Sequence, residues 1–146
     1  MSTSPLLIAS DHAGVELKDA VQKLLSHLKW EDLGTPTGSP SVDYPDFAVN
    51  LARRVATENR MGVLICGSGI GMSIAANKVK GVRAALVENP VASRLAREHN
   101  HANVLCLGAR FLAAPYAAEI VRAWLEATPS AEGRHQARVD KLNSIG

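Results

Sequence analysis

Short apolar runs alternate with amphipathic segments along the chain. Several have the length and composition of β-strands, and we predict strands at 6–10, 29–33, 62–66, 83–87 and 103–107. Strands that alternate with helical segments are typical of a parallel α/β sheet. The runs at 6–10, 62–66 and 103–107 are apolar almost throughout, which predicts central strands covered on both faces, whereas the charges in 29–33 predict a strand nearer an edge.

The segments between the strands carry apolar residues three or four positions apart, as expected for helices that cover a sheet. Three such stripes consist of Val21, Leu24, Leu25 and Leu28; of Ala48, Leu51, Ala52 and Val55; and of Ala117, Ile120, Val121, Trp124 and Leu125. A further helix is predicted from about Pro90 to His99 and Asn100. The expected fold is therefore a three-layer α/β/α domain over residues 1–146, with a five-stranded, Rossmann-like parallel sheet.

The residues after Pro129 are too polar for a core helix. We expect a C-terminal helical segment, about 129–146, that packs as an appendage against this subunit or against a partner.

Composition excludes several classes of protein. The 146 residues are 47% hydrophobic and 21% charged with a net charge of +2, which is ordinary for a globular protein and indicates no nucleic-acid partner. No apolar run approaches the ~20 residues of a membrane span, and the first residues lack a signal-peptide pattern, so we expect a cytoplasmic protein without membrane contact. Cys66 and Cys106 are expected to be free thiols, and no metal-binding motif is present.

Polar and small residues collect where the predicted strands end. In a parallel sheet, ligands bind beyond these carboxyl ends. The candidates are Ser10, Asp11, His12 and Gly14 after the first strand, Cys66, Gly67, Ser68, Gly69 and Gly71 after the third, and Gly108 and Arg110 after the fifth. The irregular stretch 34–45, rich in Gly, Pro and Ser, is expected to form a wall of the site.

The glycine loop after the third strand predicts an oxyanion or phosphate cradle, since N–H groups without obstructing side chains can converge on one anion. Two other interpretations stay open. The loop could be a tight turn without a ligand, or it could bind a dinucleotide. The second is disfavoured because Met72 follows a G-x-G-x-G spacing and because the loop leaves the third strand rather than the first.

Cys66 stands at the loop, where backbone N–H groups could stabilise a thiolate that acts as a base or nucleophile. Cys106, inside an apolar strand, is interpreted as a core residue. His12 and His99 are candidates for acid–base chemistry, although either could be structural. His27 and His101 are interpreted as surface residues.

Arg134 and Arg138 lie four residues apart and would share a helix face. Together they could form a fork for phosphate, although a solvated basic face is the more usual meaning of this spacing.

Taken together, the chain resembles the ribose-5-phosphate isomerase B family, which also includes the galactose-6-phosphate isomerase subunits. The resemblance spans nearly the full length and rests on "SDHAG" (10–14), "DYPDFA" (43–48), "GVLICGSGIGMSIAANK" (62–78), "RAALV" (83–87), "AREHNHANVLCLGAR" (96–110) and "EGRHQARV" (132–139).

The resemblance implies interconversion of ribose 5-phosphate and ribulose 5-phosphate through a cis-enediolate, without metal or organic cofactor. It implies a homodimer or homotetramer whose active sites lie between subunits. Some members replace the cysteine by a glutamate just after the glycine loop; Met72 stands there in this chain, which indicates the thiol type.

The resemblance also implies roles for individual residues. Cys66 would move the proton between C2 and C1, His99 would help open the sugar ring, and Asp11 would assist at the sugar hydroxyls. The enediolate would be held by Ser68 and the N–H groups of Gly67, Gly69 and Gly71. The sugar site would be lined by Tyr44 and Asn100, and the phosphate would meet His12, Arg110, Arg134 and Arg138.

Other functions remain possible from sequence. The substrate could be an allose, galactose or four-carbon sugar phosphate, chosen by the length of the pocket behind 34–45. A non-catalytic phosphosugar-binding or dinucleotide-binding module is the alternative outside enzymes, although binding alone needs neither Cys66 nor His99.

Overall fold

The structure, a computed structural model, describes residues 4–146. Five strands form its sheet: β1 Leu6–Ser10, β2 Trp30–Asp32, β3 Gly62–Cys66, β4 Ala84–Leu86 and β5 Val104–Gly108. Their order across the sheet is β2-β1-β3-β5-β4, and every pairing is parallel. The apolar strands β1, β3 and β5 are central and the charged β2 is an edge strand, as predicted.

Six α-helices connect and cover the strands: α1 Val15–Leu24, α2 Tyr44–Glu58, α3 Ile70–Ala76, α4 Pro90–Asn100, α5 Ala114–Glu126 and α6 Gly133–Ser144. Alternate side chains of each strand enter opposite core layers. Ile8 and Ile65 pack with residues of α1, α4 and α5, whereas Leu7 and Leu64 pack with residues of α2 and α3. The three-layer α/β/α architecture is confirmed.

Two details of the sequence prediction are wrong. Leu24 is 49% exposed, because α1 ends there, and Leu28 reaches the core from the following turn instead of from the same helix. His101 is half-buried rather than freely exposed: it caps the C-terminus of α4 in a left-handed conformation (φ 50°), and its Nε2 atom is buried.

The polar C-terminal segment forms α6, which packs against α4. Its contact face is narrow and consists of His135 and Val139, while Leu142 and Ile145 remain exposed. The appendage therefore packs against its own subunit and leaves apolar side chains at its end uncovered. No helix within residues 4–146 has the length and apolarity needed to cross a bilayer.

The sheet topology opens a crevice between β1 and β3. The chain passes from β1 to β2 on one side and then crosses back to β3 on the other. The connections that leave β1 and β3 therefore run to opposite faces of the sheet, which leaves space above their carboxyl ends. Asp11 directly follows β1 and Cys66 ends β3, so both lie at this crevice.

Candidate active site

The glycine loop curls over the Cys66 thiol. The backbone N–H of Gly69 donates a hydrogen bond to Cys66 Sγ with an N to S distance of 3.2 Å, and the Cys66 carbonyl accepts from the Ala109 N–H at 2.9 Å. The side chain is 5% exposed. The sulfur therefore accepts a backbone hydrogen bond at the start of the loop and is almost fully shielded from solvent.

Two glycines are required by close approaches around the loop. Gly69 has a φ of 78°, and a Cβ atom added to it would lie 2.9 Å from the Leu107 carbonyl carbon. A Cβ on Gly71 would lie 2.5 Å from the ring of Tyr44, which packs directly on the loop. The backbone can therefore take this shape only without side chains at these positions.

Within residues 4–146, the backbone N–H groups of Gly67, Ser68 and Gly71 have no hydrogen-bond acceptor. The Ser68 hydroxyl oxygen accepts from the Ile70 N–H at 3.2 Å, which leaves its own proton free to donate. These donors surround the end of β3, so the loop can receive an oxyanion beside the thiol. Gly69 differs from the expectation, because its N–H is directed at the sulfur.

Asp11 and His12 lie at the same edge, after β1. Asp11 is buried, and its Oδ1 accepts from the Ala13 N–H at 3.0 Å, which caps a short 3-10 turn over His12–Gly14. His12 is exposed, and its Nδ1 accepts from the Val42 N–H at 3.1 Å. The neutral ring therefore carries its proton on Nε2 and can donate it to a ligand.

Arg110 places a cation over the loop. Its backbone N–H donates to the Gly67 carbonyl at 2.9 Å, and its Nε would lie 3.2 Å from a Cβ on Gly67. Cys66, Ser68, Asp11, His12, Tyr44 and Arg110 are thus brought to one edge of the sheet by the ends of β1, β3 and β5 and by the start of α2.

A buried lysine fixes the irregular segment beside this edge. Lys18 of α1 is 2% exposed; its Nζ donates to both carboxylate oxygens of Asp32 at 2.7 Å and to the Thr35 carbonyl at 3.0 Å. Further along, the segment contacts His12 through Val42. The stretch expected to wall the site is thus tied both to the core and to a site residue.

We expect Lys18→Met to lower the free energy of unfolding by about 1–3 kcal/mol, because it leaves a partly buried carboxylate without its cation; the one-third exposure of Asp32 keeps the loss below that of a fully buried pair. Urea unfolding measures this. The matched control is the double variant Lys18→Met with Asp32→Asn. Its loss in free energy of unfolding should be smaller than the sum of the losses of the two single variants; equal values would show that the pair is not coupled.

The same pair predicts a pH dependence. Burial alone would raise the pKa of Asp32, but hydrogen bonds from Lys18, from Gln22 and from the Gly34 N–H outweigh it, so the net pKa is below its usual value. The stabilisation is therefore present at neutral pH and is lost as pH falls below about 4. Asp32→Asn should lose less stability than the wild type over that acid range.

The remaining expected site residues form a second group. His99 of α4 stacks on His135 of α6, with ring centroids 4.1 Å apart and an interplanar angle of 6°. Burial first, and the neighbouring His99 second, lower the pKa of His135, which favours its neutral ring. Arg134 and Arg138 lie exposed on α6, and Arg134 Nε donates to Glu132 at 2.8 Å. Asn100 ends α4 and is exposed.

Within one chain, the two groups of expected site residues lie at opposite edges of the sheet. Helix α4 runs from the end of β4 back to the start of β5, so His99 and Asn100 are at the amino edge of the sheet. Cys66 is at the carboxyl edge, about 13 Å away along β3 alone. Within residues 4–146, no hydrogen bond, ion pair or ring contact joins the groups. One chain presents two halves of the expected site rather than a complete one.

Sequence reasoning missed the roles of His135 and Lys18. His135 stands between Arg134 and Arg138 in the same polar segment, and its spacing from Val139 marks a buried helix face, but no local signal shows that it stacks on His99. Lys18 falls among the apolar positions Val15, Leu17 and Val21 of α1, and that placement is the available signal for burial.

Comparisons with known proteins identify the family of this chain. Residues 6–142 match the model of the family described as Ribose/Galactose Isomerase. The chain belongs to this family. It is 47% identical over 141 residues to the "Probable ribose-5-phosphate isomerase B" of Mycoplasma pneumoniae, covering 94% of this chain and 92% of that one. It is 42% identical over 137 residues to the "Ribose-5-phosphate isomerase B" of Escherichia coli, covering 92% and 91%.

Solved structures of ribose-5-phosphate isomerase B share the fold. The protein from Clostridium thermocellum superposes with a TM-score of 0.91 at 43% identity over 97% of both chains. The protein from Mycoplasma genitalium, with bound ribulose 5-phosphate, superposes with a TM-score of 0.89 at 43% identity, covering 95% of this chain and 93% of that one. The resemblance found in the sequence is confirmed, and the chain is an isomerase.

Because the chain is an isomerase of this family, the alternative of a non-catalytic phosphosugar-binding or dinucleotide-binding module is set aside. Cys106 is fully buried, and burial first and Cys66 second raise the pKa of its thiol, so it stays a neutral core residue as predicted. Across residues 4–146, no group of three or more His, Cys, Asp or Glu side chains could hold a metal ion.

Proposed function

We propose that this isomerase interconverts ribose 5-phosphate and ribulose 5-phosphate through a cis-enediolate, with Cys66 as the base. The observation that carries the proposal is the Gly69 N–H bonded to Cys66 Sγ, beside loop amides that have no acceptor. The relatives named for this reaction, and the M. genitalium structure with ribulose 5-phosphate, support the choice of substrate.

In the proposed reaction, the Cys66 thiolate removes the proton from C2 of the open-chain aldose. Electrons of the C–H bond form the C1–C2 double bond, and O1 takes the negative charge of the enediolate. The proton on O2 passes to O1 with the Ser68 hydroxyl as relay, and the thiol returns its proton to C1. The product is the ketose with a carbonyl at C2. Atoms and electrons balance within the substrate, so the reaction uses no cofactor.

The loop amides would stabilise the charge that develops in this step. The N–H groups of Gly67, Ser68 and Gly71 are fixed by the fold before substrate arrives, so they need no rearrangement as charge moves onto oxygen. A well-placed donor of this kind is worth about 3–4 kcal/mol in the transition state. The Gly69 N–H would act on the base itself, by holding the thiolate.

A second subunit would supply the other half of the site. His99 of the partner subunit would move protons between the anomeric hydroxyl and the ring oxygen to open the furanose, with Asp11 of the first subunit at the sugar hydroxyls. Tyr44 and Asn100 would line the sugar site. The phosphate would be held by His12 and Arg110 of one chain and by Arg134 and Arg138 of the other.

Exposed apolar side chains around the loop support a subunit interface at this edge. Leu86, 37% exposed, is the side chain that a Cβ on Gly69 would meet at 2.6 Å. The other exposed apolar residues that follow the ends of β3, β4 and β5 are Ile70, Ile74, Val91 and Phe111. Such a patch beside a half-formed site fits a dimer or a tetramer built from dimers. The cytoplasmic location stays a prediction.

Isomerase assays across four-, five- and six-carbon sugar phosphates test the substrate, with the unphosphorylated sugars as controls. We expect the highest kcat/KM for ribose 5-phosphate. A preference for a six-carbon phosphate would instead favour the galactose branch that the family description includes, with the segment 34–45 setting the pocket length. No turnover of any sugar phosphate would contradict the proposal.

Arg138→Ala should reduce affinity for the sugar phosphate and for inorganic phosphate as a competitive inhibitor, each by roughly 10- to 150-fold. The physical reason is the loss of charge-assisted hydrogen bonds to a phosphate dianion. Since a remote phosphate also positions the sugar, kcat can fall as well. The decisive quantity is therefore the ratio of kcat/KM for ribose 5-phosphate to that for ribose, which should fall sharply.

Arg122→Ala is the matched control, because Arg122 is an exposed arginine of α5 with no place in the proposed site. It should leave the ratio unchanged. If Arg138→Ala behaves like this control, Arg138 does not contact the phosphate.

A further inference from the structure

A cavity of about 490 Å³ opens at the amino edge of the sheet, at the opposite end of β3 from Cys66. We call it the amino-edge cavity. It lies below the starts of β1, β3 and β5, and part of its wall is apolar, formed by Leu6, Leu28, Met61 and Leu125. None of the residues that the previous sections place in the isomerase site lines it.

The polar lining of this cavity is basic. Its cationic and imidazole side chains are His27, Lys29, Arg60, Arg83, Arg97 and His101. Of the described residues that line it, none carries a carboxylate. This differs from the chain as a whole, where 16 Lys and Arg are nearly balanced by 14 Asp and Glu. A positive cavity with an apolar wall fits an anion attached to a carbon body.

The three arginines differ in how much of their charge and how many of their N–H donors already have partners in the protein. Arg60 forms ion pairs with Glu31 and Glu58, so its charge is compensated. Arg83 donates from all three guanidinium nitrogens, to the carbonyls of Gly81 and His101 and to a side-chain amide oxygen. These contacts at the end of α4 give Arg83 a structural role, as expected of a cation near a helix C-terminus.

Arg97 is different. Its single hydrogen bond runs from Nη1 to the Ala102 carbonyl at 3.1 Å, and neither its Nε nor its Nη2 has an acceptor among residues 4–146. No ion pair compensates its charge within that range. The guanidinium therefore keeps most of its N–H donors for a ligand, in the fork geometry that matches phosphate oxygens.

His101 adds a second polar group to the wall of the cavity. Its Nε2 atom is buried and has no hydrogen-bond partner among the described residues. Burial is the largest cause that lowers the pKa of His101, and a hydrogen bond with the Ser130 backbone opposes it; the charges of Arg83 and Arg97 lower the pKa further, and the charge of Asp140 raises it. Burial and the charge of Arg83 also lower the pKa of Arg97. Cationic groups therefore act on one another around the cavity, and an anion placed there would relieve that repulsion.

We propose that the amino-edge cavity is a second phosphate site, which binds inorganic phosphate or a small phosphate monoester through Arg97, with His101 beside it and the apolar wall against the carbon body. The site is separate from the phosphate clamp proposed for the substrate. It does not depend on that clamp, because the two share no residue.

Calorimetric titration with inorganic phosphate at constant ionic strength tests this. We expect Arg97→Gln to weaken binding at one site by about 10- to 100-fold, as expected for the loss of a charge-assisted fork. The matched control is Arg94→Gln, which removes the same charge from the same helix but from an exposed residue paired with Glu98. It should leave phosphate binding unchanged.

Arg138→Ala separates the two phosphate sites. It should remove substrate-site binding and leave the Arg97-dependent site intact. If the substrate clamp is wrong, the wild type will show only the site that Arg97→Gln removes. The binding of glycerol 3-phosphate is then compared with that of inorganic phosphate, with glycerol as the control. Tighter binding of glycerol 3-phosphate indicates a site for a phosphate monoester, and weaker binding indicates a site for free phosphate.

Three results would overturn the proposal: no phosphate binding that depends on Arg97, equal weakening by the Arg97 and Arg94 variants, or phosphate binding removed entirely by Arg138→Ala. If Arg97→Gln does not fold, phosphate binding is measured instead on the wild type, by ¹H–¹⁵N spectra of its arginine side chains. The Nε–H resonance of Arg97 must then shift on adding phosphate and stay unchanged on adding chloride; an unchanged resonance with phosphate refutes the site.

Discussion

Cys66→Ala should lower kcat for ribose 5-phosphate by at least ~10³-fold, within the range by which general acid–base groups contribute. Without the thiolate, no other side chain at the end of β3 takes its position to accept the C2 proton. Exchange of that proton with deuterium from solvent should stop to the same extent. Phosphate affinity should persist, because the anion-binding groups are untouched.

Two further variants separate base chemistry from packing. Cys66→Ser keeps nearly the same shape but supplies a far weaker base, so it should be as inactive as the alanine variant. Cys106→Ala is the matched control: it removes the other buried thiol, from the neighbouring strand and the same core layer. It should cost stability and leave turnover near that of the wild type.

Near-normal turnover by Cys66→Ser or Cys66→Ala would show that Cys66 is only a packed thiol. The base would then have to be sought elsewhere at the crevice, with the buried Asp11 as the first candidate. Circular dichroism of each variant verifies that a lost activity is not a lost fold.

Mixed dimers of two inactive variants should recover activity. Cys66→Ala and His99→Ala each damage a different half of the proposed site. In a dimer with one chain of each kind, one site receives the intact Cys66 of one chain and the intact His99 of the other. Random pairing in a two-fold dimer then restores about one quarter of wild-type activity from nearly inactive starting material.

The experiment unfolds and refolds the variants together, or coexpresses them with two different tags, and then measures turnover. The control mixes wild type with the Cys66→Ala and His99→Ala double variant in equal amounts. Sites shared between chains leave about one quarter of the wild-type rate per total chain in that mixture, whereas sites within one chain leave about one half. No recovery in the first mixture would place the whole site within a single chain.

The His99 variant also tests ring opening. If His99 acts on the furanose, its loss should reduce turnover of cyclic ribose 5-phosphate more than turnover of an analogue that is held in the open chain. Equal losses on both would remove His99 from that step while leaving the shared-site result intact.

Much of this protein follows from local pattern. The strands β1, β3 and β5 are predicted by apolar runs that must be covered on both faces, and the stripe of α2 by a period that depends only on helix geometry. The position of Cys66 at a strand end beside glycines is likewise a short-range fact. Two further features are equally local: the end of α4 near Asn100 and the polarity of the segment that forms α6.

Other features depend on contacts between distant parts of the chain. Leu24 fits the apolar stripe of α1, but the helix ends there, and Leu28 is the residue that packs on the core. Lys18 is buried because Asp32 and Thr35 come together around it from beyond the next strand. Sequence spacing does not encode such pairings.

The site shows the same division. Sequence alone determined that this chain has a thiol, an acid, histidines and arginines of the right kinds at the ends of its elements, because element ends follow from local periodicity. Only the tertiary structure decided where those ends lie. Since helices of a parallel sheet run against its strands, His99 and Asn100 come to the edge opposite Cys66. The stack of His99 on His135 and the Gly69 N–H on the sulfur are likewise decided by packing, which no local pattern records.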